Sequence, residues 1–197
     1  MQIIRDIEQL SPEWFALRAK RMTASPAQAI ASAGKGLKTY INKMMNEYFS
    51  EEVQVPYTNE VIQNGVIREP IAADIYKRRY DVFTEKICFV IHNEYVGASP
   101  DLFVGENGLG EIKCPSDRVF LRYARRGKIV TKYLWQMQMQ MLVCEKEFCD
   151  YIVYNPNFKK DLIVERVYPD ATMQRKLRFG FKVGTELIKE FIVNRTV

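Results

Sequence analysis

The feature that most constrains this chain is the stretch from Gly97 to Pro115, which reads as a β-hairpin carrying two acids and a lysine. Leu102-Phe103-Val104 and Leu109 to Cys114 are short apolar runs, and Gly105-Glu106-Asn107-Gly108 between them supplies residues that tolerate positive φ in a tight reversal. Side chains alternate faces along a strand, so Glu111 and Lys113 point the same way, about 6.5–7 Å apart, while Ile112 points into the core. Asp101, at the start of the partner strand, can meet Glu111 on that face.

Two carboxylates held together repel, and one is protonated unless a cation sits between them. A divalent metal resolves the conflict. Oxygen-only donors suit a hard ion, Mg²⁺ or its usual substitute Mn²⁺, and such an ion can ionise a bound water and neutralise charge building on a phosphate. Lys113 beside it could hold or deprotonate that water, or pair with the phosphate. Spacing alone equally fits an exposed hairpin with an ordinary Glu-Lys pair.

Composition narrows the field. The chain has 197 residues, enough for a proper core, and reads most simply as one domain over 1–197. Hydrophobic residues make up 47%, and no apolar run approaches the ~20 residues of a membrane span. Charges occupy the N-terminal stretch where a signal peptide needs an apolar segment. The cysteines at 88, 114, 144 and 149 form no CxxC pair, so neither a zinc site nor a disulfide framework is expected. A reducing, cytoplasmic location follows. His92, the one histidine, reads as a loop residue.

The net charge of +5 is modest, but its distribution is uneven. Arg118, Arg122, Arg125, Arg126, Lys128 and Lys132 follow the hairpin with no acid among them, and Lys77-Arg78-Arg79 forms a second cluster. A carboxylate site repels a polyanion, so compensating basic surface belongs near it. The spacing predicts a basic helix from Asp117 to about Lys128, with Arg118, Arg122 and Arg126 at i+4 intervals as DNA-backbone contacts. A solvated helix face is the plainer alternative.

Elsewhere, Ser11-Pro12-Glu13 reads as a capped helix start, with Trp14, Leu17 and Met22 as core. Thr23-Ala24-Ser25 reads as the cap of a second helix running to about Ser32, whose free amides could bind an anion. Gly34-Lys35-Gly36 is read as a loop, 37–49 as a packing helix and 51–58 as a connection. A helical pattern spans 59–80 across Pro70, with Ile71, Ile75 and Tyr76 as core; strands follow over 81–91. The Gln-Met alternation at 136–141 imitates a strand, yet its flanks continue a helical pattern, so a helix is expected. Gln136 and Gln140, four apart, share a side. Phe148 to Tyr154 and Leu162 to Val167 form an antiparallel pair, and 170–194 a closing helix packed through Leu177, Phe181, Leu187, Ile188 and Phe191.

Pro100-Asp101 with Glu111-Ile112-Lys113 resembles the signature of PD-(D/E)XK nucleases. The longer Ser99-Pro100-Asp101 and Glu111 to Pro115 wording is similar to the phage lambda exonuclease and YqaJ-type viral recombinase (alkaline exonuclease) branch. Trp14-x-x-Leu17-Arg18 followed by Thr23-Ala24-Ser25, Gly65-x-x-x-Glu69, and Tyr133-x-x-Gln136-x-Gln138 resemble further blocks of that family, in the same order.

The resemblance implies an α/β fold, a mixed sheet of about five strands flanked by helices, with the acidic site at one edge. It implies a Mg²⁺-dependent 5′-to-3′ exonuclease on double-stranded DNA ends, releasing mononucleotides and leaving 3′ tails for recombination. Asp101, Glu111, the Ile112 carbonyl and Glu69 then hold the metal. Lys113 and Gln138 position the water, with Gln136 as second choice, and Arg18 and Ser25, with Thr23, bind the 5′ phosphate. It implies a ring-shaped homotrimer, a single-strand annealing partner and a phage or prophage origin. A structure- or site-specific endonuclease on the same fold, or a non-catalytic DNA-end-binding subunit, are the alternatives.

Overall fold

The structure is a computed structural model that describes residues 1–50 and 60–195. The connection expected over 51–58 lies outside the described residues.

The hairpin forms as its glycines and apolar runs predict. β5 (Leu102–Val104) and β6 (Gly108–Lys113) pair antiparallel, Leu102 opposite Gly110 and Val104 opposite Gly108. Gly105 takes the left-handed conformation at φ 55°. Gly108 does not serve the turn. It begins β6, and a Cβ there would strike the Phe148 ring, so close packing requires the glycine.

β6 is the middle strand of a mixed five-stranded sheet. With β2 (Thr84–Glu85), β7 (Phe148–Tyr154) and β8 (Leu162–Val167), the order is β2-β5-β6-β7-β8. Among the described residues the β6–β7 pair is the one parallel pair of this sheet, and such a pair needs a long crossover. Two helices supply it, α5 (Asp117–Arg126) and α6 (Thr131–Cys144), which brings the basic segment and the glutamines back beside β6.

A second, three-stranded sheet has the order β1-β3-β4, from β1 (Gln2–Ile4), β3 (Phe89–Asn93) and β4 (Val96–Ala98). Part of the apolar run over 81–91 thus leaves the main sheet, because β3 pairs with β1 on one side and β4 on the other. His92 lies in β3 and not in a loop.

α1 (Pro12–Arg18) starts as predicted, Ser11 Oγ accepting from Trp14 N at 3.2 Å. α2 (Ala27–Ser32) does not use the Thr23–Ser25 cap. Pro26 takes the cap position, and no side chain caps that end. Met22 is instead drawn to β4, its N donating to Tyr95 O at 2.7 Å and its O accepting from Gly97 N at 3.0 Å, while Thr23 N donates to Tyr40 Oη at 3.2 Å. α3 (Lys35–Phe49) begins inside the stretch read as a glycine loop.

α4 (Glu60–Tyr80) continues through Pro70. Its inward side carries Ala72 and Tyr76, three and seven residues after Glu69, while Ile71 turns outward and is 46% exposed rather than core. Tyr76 Oη donates to the buried Asp150 at 2.5 Å, and Arg166 closes on the same carboxylate with two bonds of 2.8 Å. This tie joins α4 to β7 and β8. α7 (Ala171–Arg195) packs on α2 so tightly that a Cβ on Gly180 would run into the Ile30 carbonyl oxygen. The larger core runs under α2, α3, α6 and α7, and a smaller one joins α4 to the other face of the sheet.

Candidate active site

The strand pattern that buries Ile112 turns Glu111 and Lys113 to the opposite face, under α6. Glu111 is wholly buried yet fully engaged. Its Oε1 accepts from Lys113 Nζ and from Gln136 Nε2, the latter at 2.6 Å, and its Oε2 accepts from Gln140 Nε2 at 2.6 Å. Asp101 stands at the foot of β5, where Ile112 N donates to its Oδ2 at 2.6 Å. The hairpin therefore brings Asp101, Glu111 and Lys113 together, as their spacing predicts.

Burial pushes Asp101 well above the ordinary carboxylate range, and the Glu111 and Glu69 charges add to the rise; Lys113 and the Ile112 amide oppose it. Glu69 is raised too, first by burial and then by Glu111, against the pull of Lys86 and Lys113. So Glu69 lies within the electrostatic reach of the pair. For Lys113 burial disfavours the charge, but Glu111 and Asp101 outweigh it and raise its pKa above the ordinary lysine value. Lys113 is an ammonium at neutral pH. Its Nζ also lies 5.2 Å from the Tyr133 ring centre, within cation–π range.

Among the described residues no three of His, Cys, Asp and Glu come together as a metal-holding group. The donors still suit Mg²⁺. That ion is normally held by one or two carboxylates, water and substrate phosphate rather than an all-protein cage. Asp101 resists ionisation beside Glu111, and a divalent charge relieves that conflict. The four cysteines are unpaired thiols, and burial, with the nearby Glu69, Asp101 and Glu111 charges, holds the Cys114 and Cys149 thiols above their ordinary range, so they are protonated rather than thiolate ligands.

The three glutamines of α6 separate by face. Gln136 and Gln140, one helical turn apart, reach Glu111, whereas Gln138 is rotated about 200° from Gln136. Gln138 donates to Tyr168 O at 2.8 Å and accepts from Asp170 N at 2.8 Å, tying α6 to the start of α7. The preference for Gln138 as the water-positioning residue is therefore corrected: Gln136 faces the acids and Gln138 does not. Gln140, which the four-residue spacing pairs with Gln136 but to which the sequence pattern assigns no role at the acids, joins it on Glu111.

The predicted phosphate-binding group lies around α1. The Arg18 guanidinium stacks 4.1 Å from the Trp14 ring centre, and its Nη2 reaches Thr23 Oγ1 at 3.5 Å. Burial lowers the Arg18 pKa from its very high ordinary value. Thr23 is buried and Ser25 exposed. Trp14 Nε1 donates to Ser99 Oγ at 2.9 Å, so the Arg18 platform is bonded to the loop that ends at Asp101. On α5, Phe120 is buried and anchors the helix, while Arg118, Arg122 and Arg126 are exposed.

Residues 13–147 match the model of the YqaJ-like viral recombinase domain, and the chain belongs to that family. Among solved structures it is similar to an alkaline exonuclease, LHK-Exo, from Laribacter hongkongensis, with 25% identity, 94% of this chain and 97% of that chain covered, and a TM-score of 0.84. LHK-Exo in complex with dAMP gives a TM-score of 0.85 at the same identity and coverage: 25%, 94% of this chain and 97% of that chain. A phage related exonuclease from Haemophilus somnus 129PT shares the fold, with 13% identity, 89% and 96% of the two chains covered, and a TM-score of 0.67. No curated protein matches the sequence. No helix among the described residues is long and apolar enough to cross a membrane.

Proposed function

We propose that this protein is a metal-dependent exonuclease that degrades double-stranded DNA from its 5′ ends, releases mononucleotides and leaves 3′ tails for recombination. The observation that carries the reading is the buried Glu111, bonded to Lys113 and Gln136 beside Asp101, in a chain of this family that overlays an alkaline exonuclease over 94% of its length.

Asp101 and Glu111, with the Ile112 carbonyl and Glu69, would hold Mg²⁺ or Mn²⁺, which when bound supplies positive charge at the phosphate and acidifies a water. Burial divides the donors around Glu111. The Lys113 side chain is 25% exposed and Gln136 is half-buried, so both can turn from Oε1 toward water or phosphate. Gln140 is wholly buried and stays on Oε2. Lys113, as an ammonium, donates to the phosphate oxygen or orients the water rather than removing its proton. Gln136 orients the same water. Arg18, with Thr23 and Ser25, binds the terminal 5′ phosphate, and Arg118, Arg122 and Arg126 contact the duplex backbone. The same reading includes a homotrimeric ring, a single-strand annealing protein as partner, and action in the cytoplasm of a phage's host.

Linear duplexes labelled separately at the 5′ and 3′ ends test this. With Mg²⁺, early release of the 5′ label as mononucleotide, and no attack on covalently closed circles, is expected. Earlier release of the 3′ label overturns the polarity, and cutting of circles favours the endonuclease. Binding of ends without cutting in either Mg²⁺ or Mn²⁺ leaves only an end-binding subunit.

A further inference from the structure

A cavity of about 300 Å³ opens between α5, the start of α6 and the C-terminal ends of β6 and β7, and Lys113 forms part of its wall. Its size falls at the lower end of the ~300–1,000 Å³ of small-molecule sites. The aromatic wall is a cluster of three rings. Tyr151 stands between Tyr123, with centres 5.5 Å apart and planes at 83°, and Tyr133, 5.9 Å away. Tyr123 is held in place by its hydroxyl, which donates to Glu165 at 2.7 Å.

The charge of the lining has one sign. Arg122, Arg126 and Lys128 line it together with Lys113, and no carboxylate does. A cavity built only for an apolar side chain has no use for four cations, and a phosphate site has no use for three tyrosines. An anion attached to a flat ring uses both, and a nucleotide is such an anion.

We propose that this cavity is a subsite for one nucleotide of the strand being cut, with the base against Tyr123, Tyr133 and Tyr151 and the phosphate on Arg122, Arg126 and Lys128. This rests on the nuclease reading and adds to it. Lys113 belongs both to the cavity and to the Asp101–Glu111 group, so the occupant abuts the reacting phosphate. The Arg18 platform is instead tied through Trp14 to Ser99, two residues before Asp101, so the cavity and the platform approach the acids through different residues.

Binding of dAMP to the full-length protein without divalent metal, followed by NMR titration, tests the proposal. Two lining residues, Val130 and Val119, are 52% and 43% exposed, so Val130→Trp, at the cap of α6, and Val119→Trp, on α5, fill the mouth from two sides without disturbing the core. The dAMP signals are expected to perturb Tyr123, Tyr133 and Tyr151. Affinity should fall about tenfold or more in each folded variant, and adenosine and inorganic phosphate should each bind more weakly than dAMP. Equal dAMP affinity in wild type and both variants, or perturbations confined to Arg18 and Thr23, overturns the subsite. Because no cleavage is needed for this measurement, a protein that digests 5′ ends yet leaves the tyrosines unperturbed loses this inference alone, and one that binds dAMP at the tyrosines yet cuts nothing loses only the catalytic reading.

Discussion

Gln140 Nε2 lies 2.6 Å from Glu111 Oε2, and both side chains are closed off from solvent. The amide oxygen of Gln140, Oε1, is buried without a partner, so the amide's position rests on Glu111 alone. A polar group is left half-satisfied in a core only where something else benefits, and here the carboxylate is held in one orientation.

Gln140→Leu keeps the volume but strands Oε2 of a buried carboxylate. It is expected to destabilise the protein by about 1–3 kcal/mol. Calorimetric Mg²⁺ affinity should weaken about tenfold, with kcat falling while KM for DNA holds. An unchanged metal affinity together with an unchanged kcat would remove Gln140 from the site.

Lys113→Ala removes the ammonium that faces Glu111 and leaves the basic face of α5 intact. Mg²⁺-dependent mononucleotide release should drop by about 10²-fold or more, as for loss of a charge-stabilising donor. Duplex binding, measured by fluorescence anisotropy, should persist. Lys113→Arg should not rescue release, because the planar fork cannot replace a compact ammonium.

Arg18 is fixed over Trp14, so its effect should be specific to the end group. Arg18→Ala is expected to lower initiation on 5′-phosphorylated duplexes by about tenfold or more and to narrow the difference from 5′-hydroxyl duplexes, compared in burst-phase kinetics. An equal loss on both ends would place Arg18 elsewhere in the reaction.

Asp101 and Glu69 have folded-state pKa values above the ordinary carboxylate range. The protonated forms are therefore favoured by folding. Their stabilisation is complete below the unfolded pKa near 4 and is lost as pH rises through the raised values. Lys113, raised above the lysine range, contributes a constant amount across that window. Without metal, the melting temperature should fall from mildly acidic toward neutral pH. Asp101→Asn should flatten the fall and, near neutrality, melt a few degrees higher than wild type, at about 2–4 °C per kcal/mol for a chain of this size. Mg²⁺ should raise the wild-type midpoint but not that of Asp101→Asn, a pattern that differential scanning calorimetry with and without EDTA resolves.

Much of this architecture is written locally. The Ser11-Pro12 cap, the Gly105 reversal, the alternating faces of Glu111-Ile112-Lys113 and the β7–β8 pair each depend on residues within a few positions, and each forms where its pattern predicts. Misreadings arise where a distant partner competes. Ser25 yields its capping role because Met22 is bonded toward β4 and Thr23 N to the Tyr40 hydroxyl of α3, and Gly108 serves the Phe148 ring rather than the turn. Ile71 is outward because Tyr76, bonded to Asp150, sets which side of α4 faces the sheet.

By itself the sequence determined that two acids and a lysine share one strand face, because a period of two is built into the extended backbone. Which glutamine meets them was decided by tertiary structure. Gln136, Gln138 and Gln140 carry the same chemistry, and only the docking of α6, with Gln138 drawn to Tyr168 and Asp170, turns the other two onto Glu111.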